Sequence, residues 1–209
     1  MNSFYRISRI FKVYRSSRKS IGTLIDLPEY SSIDQCLKGL IAKASDLHET
    51  STLDLGCGLN PQNPFRAEQV YGIDIRDNPS KYIKCADLTV EPIPFEANFF
   101  DYVTTFDTLE HIPRVIYTPN RRFPFVELMN EIWRTLKPNG YFLSYTPIYP
   151  YSAVFRDPTH VNIMTHETFP LYFDDKNQFA KMYGFKGSFK IISQYINEPQ
   201  LISILQKSS

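Results

Sequence analysis

The sequence predicts an α/β domain built on a parallel sheet with helices on both faces. Three observations lead there. Short apolar runs with strand character alternate with segments of helical periodicity across most of the chain. The first such strand runs straight into a glycine turn, Asp54-Leu55-Gly56-Cys57-Gly58, and the next ends in a carboxylate, Asp74. The length of 209 residues fits one ordinary domain, with 43% hydrophobic and 22% charged residues.

In chain order, residues 1–30 form a basic N-terminal arm and residues 31–209 a single domain. In the arm, Arg6, Arg9, Lys12, Arg15, Arg18 and Lys19 are basic, and Phe4, Ile7, Ile10, Phe11 and Tyr14 sit between them at helical spacing. Two readings fit. One is an amphipathic arm in weak contact with an anionic membrane surface. The other, which needs no partner and is preferred, is a terminal helix docked on its own domain or a tail. Residues 33–47 then read as a helix through Ile33, Leu37, Leu40, Ile41, Ala44 and Leu47.

From residue 51 the pattern is strand, turn, helix, strand. Thr52–Leu55, Val70–Asp74, Tyr82–Cys85 and Phe100–Thr105 are strand candidates. Phe125, Leu128, Met129, Ile132, Trp133 and Leu136 mark one face of a long helix, which Lys137-Pro138-Asn139-Gly140 is expected to stop. Tyr141–Thr146 is a fifth strand, and residues 185–196 and 200–205 are a closing pair.

Composition narrows the function. Lys and Arg number 23 against 22 Asp and Glu, so the net charge of +1 gives no sign of a nucleic-acid partner. No apolar run reaches the ~18 residues of a membrane span. The three cysteines, Cys36, Cys57 and Cys85, form neither a disulfide framework nor a zinc pair. With no apolar leader at the N-terminus, the expected setting is cytoplasmic, with any membrane contact peripheral, at the inner surface.

The strongest chemical signal is the glycine turn. Glycine lets backbone approach a ligand closely, and open α/β sheets bind ligands at the carboxyl ends of their strands. A carboxylate at Asp74 can accept hydrogen bonds from a ribose diol. A dinucleotide site would want a third glycine, where Pro61 stands, so a nicotinamide cofactor is disfavoured.

Six segments in order resemble the class I S-adenosylmethionine-dependent methyltransferases, within them the methyltransferase type 11 group. They are Leu53–Gly58, Gly72-Ile73-Asp74, Ala86-Asp87-Leu88, Pro94-Phe95 through Phe99-Phe100-Asp101, Leu109–Ile112 and Leu136–Tyr141. The resemblance spans roughly residues 50–150. It implies a Rossmann-like three-layer sandwich: a mostly parallel seven-stranded sheet with an antiparallel closing strand. The implied cofactor is S-adenosylmethionine. Asp54, Gly56, Cys57 and Gly58 would frame its methionine part, Asp74 and Ile75 the ribose, Asp87 and Leu88 the adenine, and Phe106 the sulfonium.

The acceptor side is read from three places. His111 follows Glu110, a pair often present in the family without a catalytic role. Asp107-x-x-Glu110-His111 also resembles a metal-holding cluster of some methyltransferases that act on quinones or RNA ends, but the expectation here is no metal. The run Phe155–Asn162 resembles a stretch in type 11 members from bacterial surface-polysaccharide clusters. In it, His160 is the expected base, with Asp157 beside it, and Arg156 is expected to hold a sugar acid or phosphate. A turn capped by Asp157 is the alternative. Arg121 and Arg122 lie in a loop, 113–124, that reads either as a basic lid over an anionic substrate or as solvated chain. The expected reaction is O-methylation of a small-molecule or glycan-linked acceptor, with surface glycan assembly as its setting. A protein that keeps the cofactor pocket without catalysis, as a membrane-associated subunit, is the alternative, as is a metal-assisted or N-directed methyltransferase.

Overall fold

The computed structural model describes residues 7–12, 15, 22, 24–44 (backbone only from 41) and 49–208. Phe4, Arg6, Tyr14, Arg18, Lys19 and Leu47 therefore lie outside the described residues. Helix α1 spans Ile33–Ala44. The strands are β1 (Ser51–Leu55), β2 (Gln69–Asp74), β3 (Ile83–Cys85), β4 (Phe100–Phe106), β5 (Leu136–Pro147), β6 (Phe189–Asn197) and β7 (Gln200–Lys207). Helix α2 (Pro124–Thr135) precedes β5, and two short helices, α3 (Ala153–Arg156) and α4 (Thr168–Tyr172), follow it.

The seven strands form one sheet in the order β3-β2-β1-β4-β5-β7-β6. β3, β2, β1, β4 and β5 pair in parallel, and β7 runs antiparallel to both β5 and β6. The strand order reverses direction between β1 and β4, which is where this class of sheet opens a ligand crevice. Every residue of β1 is buried, as expected of a strand covered on both faces.

Side chains alternate across the sheet into two cores. One gathers Leu53, Leu55, Ile73, Val103 and Phe142 under the apolar stripe of α2, which is Phe125, Leu128, Met129 and Ile132. The other gathers Tyr102, Leu143, Ile202 and Ile204 under Cys36 and Leu37 of α1.

Two expectations are corrected. No helix forms between β1 and β2. Residues 56–68 run as irregular chain, since Pro61 and Pro64 remove backbone donors and Asn63 closes its own turn onto Ala67 through two 2.8 Å hydrogen bonds. The sheet face such a helix would cover is filled by Phe65, 3% exposed, its ring stacked 4.3 Å from that of Tyr102. Residues 137–140 do follow the end of α2, at Thr135, but they lie within the fifth strand, which was expected only from Tyr141. They belong to β5, which starts at Leu136 opposite Phe100 and resumes with Tyr141 opposite Tyr102, so the extra residues form a bulge. Asn139 takes its left-handed conformation there (φ 64°).

In the arm, residues 7–12 are helical, and Ile7, Ile10 and Phe11 are 50%, 67% and 68% exposed, so this stretch is not docked on the domain. Among the described residues no helix is long and apolar enough to cross a membrane.

Phe65→Ala is expected to lower stability by roughly 3–5 kcal/mol in chemical denaturation, the range for opening a cavity under a buried aromatic. A loss under 1 kcal/mol would show that the ring does not stand in for the missing helix.

Candidate active site

Parallel pairing brings the ends of β1, β2, β4 and β5 to one edge of the sheet. The glycine turn leaves β1 with Gly56 and Gly58 at φ 71° and 63°. The amides of Gly56 and Cys57 both donate to the Ile73 carbonyl, at 2.8 and 3.0 Å, tying the turn to β2. A Cβ on Gly56 would lie 2.2 Å from Thr108 Oγ1, so glycine is required by both backbone and space. Cys57 turns inward against Gly72, where a Cβ would meet its sulfur at 2.4 Å, and burial pushes its thiol up to about 11.

Asp54 lies beneath this turn, 1% exposed. One carboxylate oxygen accepts the Gln62 amide and the other the Thr104 hydroxyl, both at 2.8 Å. Burial raises its carboxyl to about 6. It acts on the cleft through the loop it holds.

Asp74, at the tip of β2, accepts the Gly58 amide at 2.8 Å and the Arg76 guanidinium at 2.8 Å. The Arg76 hydrogen bond leads the causes that hold its carboxyl down at about 2. Arg76 itself has 68% of its side chain in solvent, against 7% for Asp74.

These groups wall a cleft of about 350 Å³. Of the residues expected at the cofactor, Gly56, Asp74, Ile75, Asp87 and Leu88 line it, while Asp54, Cys57 and Gly58 support it from behind. Phe106 lies toward the other face, its ring 5.8 Å from that of Tyr145. Beyond β4 the cleft wall is made by Asp107, Thr108, His111 and Ile112. Thr108 carried no motif that marked it; it is found only by what it touches.

A second hollow of about 600 Å³ adjoins the first, with Asp107 lining both. Its walls include Glu110, Arg156, Asp157, His160 and Gln200. Asp107 sits in left-handed backbone (φ 46°), a strained state for a non-glycine residue. The segment carrying His160 is pinned to the one carrying Glu110: the amides of Val161 and Asn162 both donate to the Glu110 carbonyl at 2.9 Å, and Asn162 donates to Leu109 and accepts from Arg114.

This clamp brings His111 and His160 together, ring centroids 4.8 Å apart and nearly perpendicular. His160 Nδ1 lies 3.2 Å from the Val154 carbonyl, an acceptor, so this nitrogen carries the proton. His111 Nδ1 lies 2.9 Å from Thr159 Oγ1, whose own hydrogen goes to Asp157 at 2.6 Å. It too is placed to donate, so in the neutral tautomer that these bonds favour the lone pair of each ring is on Nε2. Asp157, exposed, is held low by its hydrogen bonds from Thr159.

Glu110 is 1% exposed; Oε2 accepts from Thr146 at 2.9 Å, and Oε1 has no partner. Burial raises its carboxyl to about 7. Arg156 lines the hollow, but Arg121 and Arg122 do not. The Arg121 guanidinium lies over the Phe123 ring at 5.6 Å, and Arg122 is bound 3.0 Å from Glu127, beside α2. Loop 113–124 reads as a basic lid or as solvated chain, and neither arginine's contacts place it over the hollow.

Residues 53–144 match the sequence model of a methyltransferase domain. Over those residues the chain carries a methyltransferase domain, for which the implied cofactor is S-adenosylmethionine. Solved structures share its fold. The PH0226 protein from Pyrococcus horikoshii is 18% identical, with a TM-score of 0.55 over 93% of this chain and 91% of that one. A candidate S-adenosylmethionine-dependent methyltransferase from Listeria monocytogenes is 16% identical, with a TM-score of 0.51 over 82% and 97%. The [4+2]-cyclase SpnF is 16% identical, with a TM-score of 0.51 over 84% and 80%. That this cyclase shares the fold shows why fold alone does not assign the reaction. The comparison with curated proteins found no match.

The cleft fits S-adenosylmethionine, the cofactor that the domain match implies. Gly56, whose missing Cβ lets Thr108 pack against the turn, lines the cleft with its backbone, and Asp74 presents a carboxylate in the same cleft. S-adenosylmethionine supplies a methyl group on a positive sulfur. Asp74 can take the ribose hydroxyls once Arg76 swings into solvent, and Asp87 and Leu88 form the far wall.

Three outcomes are expected. Gly56→Ala should cost about 2 kcal/mol or more of stability from left-handed strain and the Thr108 clash together. In calorimetry with S-adenosylhomocysteine, Asp74→Ala should weaken binding roughly 10–100-fold, the worth of charged hydrogen bonds. Arg76→Ala should tighten it by no more than about five-fold, because an exposed ion pair is worth at most ~1 kcal/mol. Glu110 also has a pH signature. It releases its proton near its ordinary value of 4.5 when unfolded and at about 7 when folded, so its contribution to stability falls as pH rises through that window. In metal-free buffer Glu110→Gln should gain on the wild type between those limits and hold a constant difference outside them.

Proposed function

We propose that this methyltransferase transfers the methyl group to a hydroxyl oxygen of a small or sugar-linked acceptor seated in the second hollow. One observation carries the reading: two imidazoles, each with Nδ1 engaged by an oxygen, stand where that hollow meets the cofactor cleft. Methyl transfer is an in-line displacement, and the protein's main work is to align oxygen, methyl and sulfur and to exclude water. A hydroxyl must also lose its proton, which the Nε2 lone pairs and Asp107 are placed to draw away. Arg156, exposed on the rim, suits an acidic or phosphorylated sugar. The likeness of residues 155–162 to members from bacterial surface-polysaccharide clusters supports a sugar-linked acceptor and a place in surface glycan assembly.

A second reading concerns the arm. Exposed Ile7, Ile10 and Phe11 beside Arg9 and Lys12 suit weak contact with an anionic membrane surface, and with it a peripheral location on the cytoplasmic side. Co-sedimentation with anionic vesicles should fall when residues 1–20 are removed; equal pelleting would rule the contact out.

Methyl transfer to hydroxylated sugars and sugar acids is the direct assay. His160→Asn should lower kcat roughly 10²–10⁴-fold while leaving S-adenosylhomocysteine affinity unchanged. Full activity in that variant, or methyl transfer to nitrogen alone, would refute the reading.

A further inference from the structure

His160 lies 49 residues beyond the adjacent pair Glu110 and His111, yet a carboxylate oxygen and one ring nitrogen from each histidine lie within 4.8 Å of one another. Three features of this cluster have no account in hydrogen bonding. Glu110 Oε1 is fully buried and unpartnered, in a residue that lines the hollow. A buried carboxylate oxygen with no donor is costly. His111 and His160 each engage Nδ1 with an oxygen outside the cluster, Thr159 Oγ1 and the Val154 carbonyl, and neither Nε2 has a hydrogen-bond partner among the described residues. No hydrogen bond joins any two of the three side chains to each other.

We propose that Glu110, His111 and His160 hold a divalent cation that takes the acceptor's hydroxyl as a further ligand. Two imidazoles and one carboxylate suit a borderline cation of the zinc or manganese kind. The surrounding bonds are those of a ligand set: each histidine donates its other N–H to an oxygen, and Glu110 is fixed by Thr146. Bonds of about 2.0–2.2 Å to one ion draw the three donor atoms closer than the 4.8 Å within which they lie. Three protein ligands leave positions open for an acceptor that chelates, such as hydroxyls on adjacent carbons or a hydroxyl beside a carboxylate.

This rests on reading the second hollow as the acceptor site and gives its lone pairs a more specific job. An ion-bound hydroxyl is more acidic, and its proton can pass to Asp107, which lines both cavities. The oxygen then bonds the methyl carbon, the carbon–sulfur bond breaks with its electron pair kept by sulfur, and the proton leaves to solvent. The products are a methyl ether, S-adenosylhomocysteine and one proton.

The test is cobalt titration of the full chain, stripped by chelator, with S-adenosylhomocysteine present. One equivalent of Co²⁺ should bind with visible d–d absorption. Glu110→Gln and His160→Asn should each weaken binding by about 100-fold or more, and Thr159→Val, which frees His111, by roughly 10–100-fold. His160 is partly exposed, so its variant keeps the test sound if the Glu110 variant folds poorly. No saturable binding, or equal affinity in variants that still bind S-adenosylhomocysteine, overturns the ion. Methyl transfer that survives chelation overturns it too, yet leaves O-methylation standing. Methyl transfer to nitrogen alone would instead remove the acceptor reading itself.

Discussion

A buried carboxylate that cannot leave its partners governs the cofactor side. Asp54 accepts one hydrogen bond from the loop at Gln62 and one from β4 at Thr104. With burial raising it to about 6, it is charged near neutrality only because those donors compensate its lost hydration. The loop between them has no helix to stiffen it, so this pair of bonds and the two amides on Ile73 define its path. The left-handed glycines follow from that path, since the chain must double back within three residues of the strand.

The acceptor side depends on a different device. The Glu110 carbonyl receives two successive amides from residues 161 and 162, and Asn162, fully buried, reaches back to Leu109 and Arg114. This ties the stretch after β5 to the turn after β4. It is why two histidines far apart in the chain share one wall. It also places Asp107, strained at the end of β4, between the cofactor cleft and the hollow.

The two sides are linked through β4. Thr104 supports the cofactor loop from its middle, Thr108 presses on Gly56 just past its end, and Asp107 faces both cavities. A strand buried on both faces moves little, so cofactor and acceptor are referred to one rigid element. That is the alignment a displacement at carbon needs.

The strands, α2 and the glycine turn were legible in the sequence because each depends on local matters: periodicity, β-branched or aromatic content, and glycine where backbone must turn. Asp74 was legible because the end of a parallel strand fixes its place. Three matters belonged to tertiary structure alone. A helix between β1 and β2 was expected from the alternation of the fold, but prolines and Asn63 favoured a turn, and a stacked Phe65 could cover the sheet only once Tyr102 was beside it. Arg121 and Arg122 looked free to meet substrate until Glu127 and Phe123 claimed them. The pair Glu110 and His111 was legible as a motif, but no spacing joins His160 to it, since that histidine reaches the pair only through the clamp at Asn162. Local propensity writes elements into a sequence; which lone pairs face each other is decided by long-range packing, for which a linear pattern carries no code.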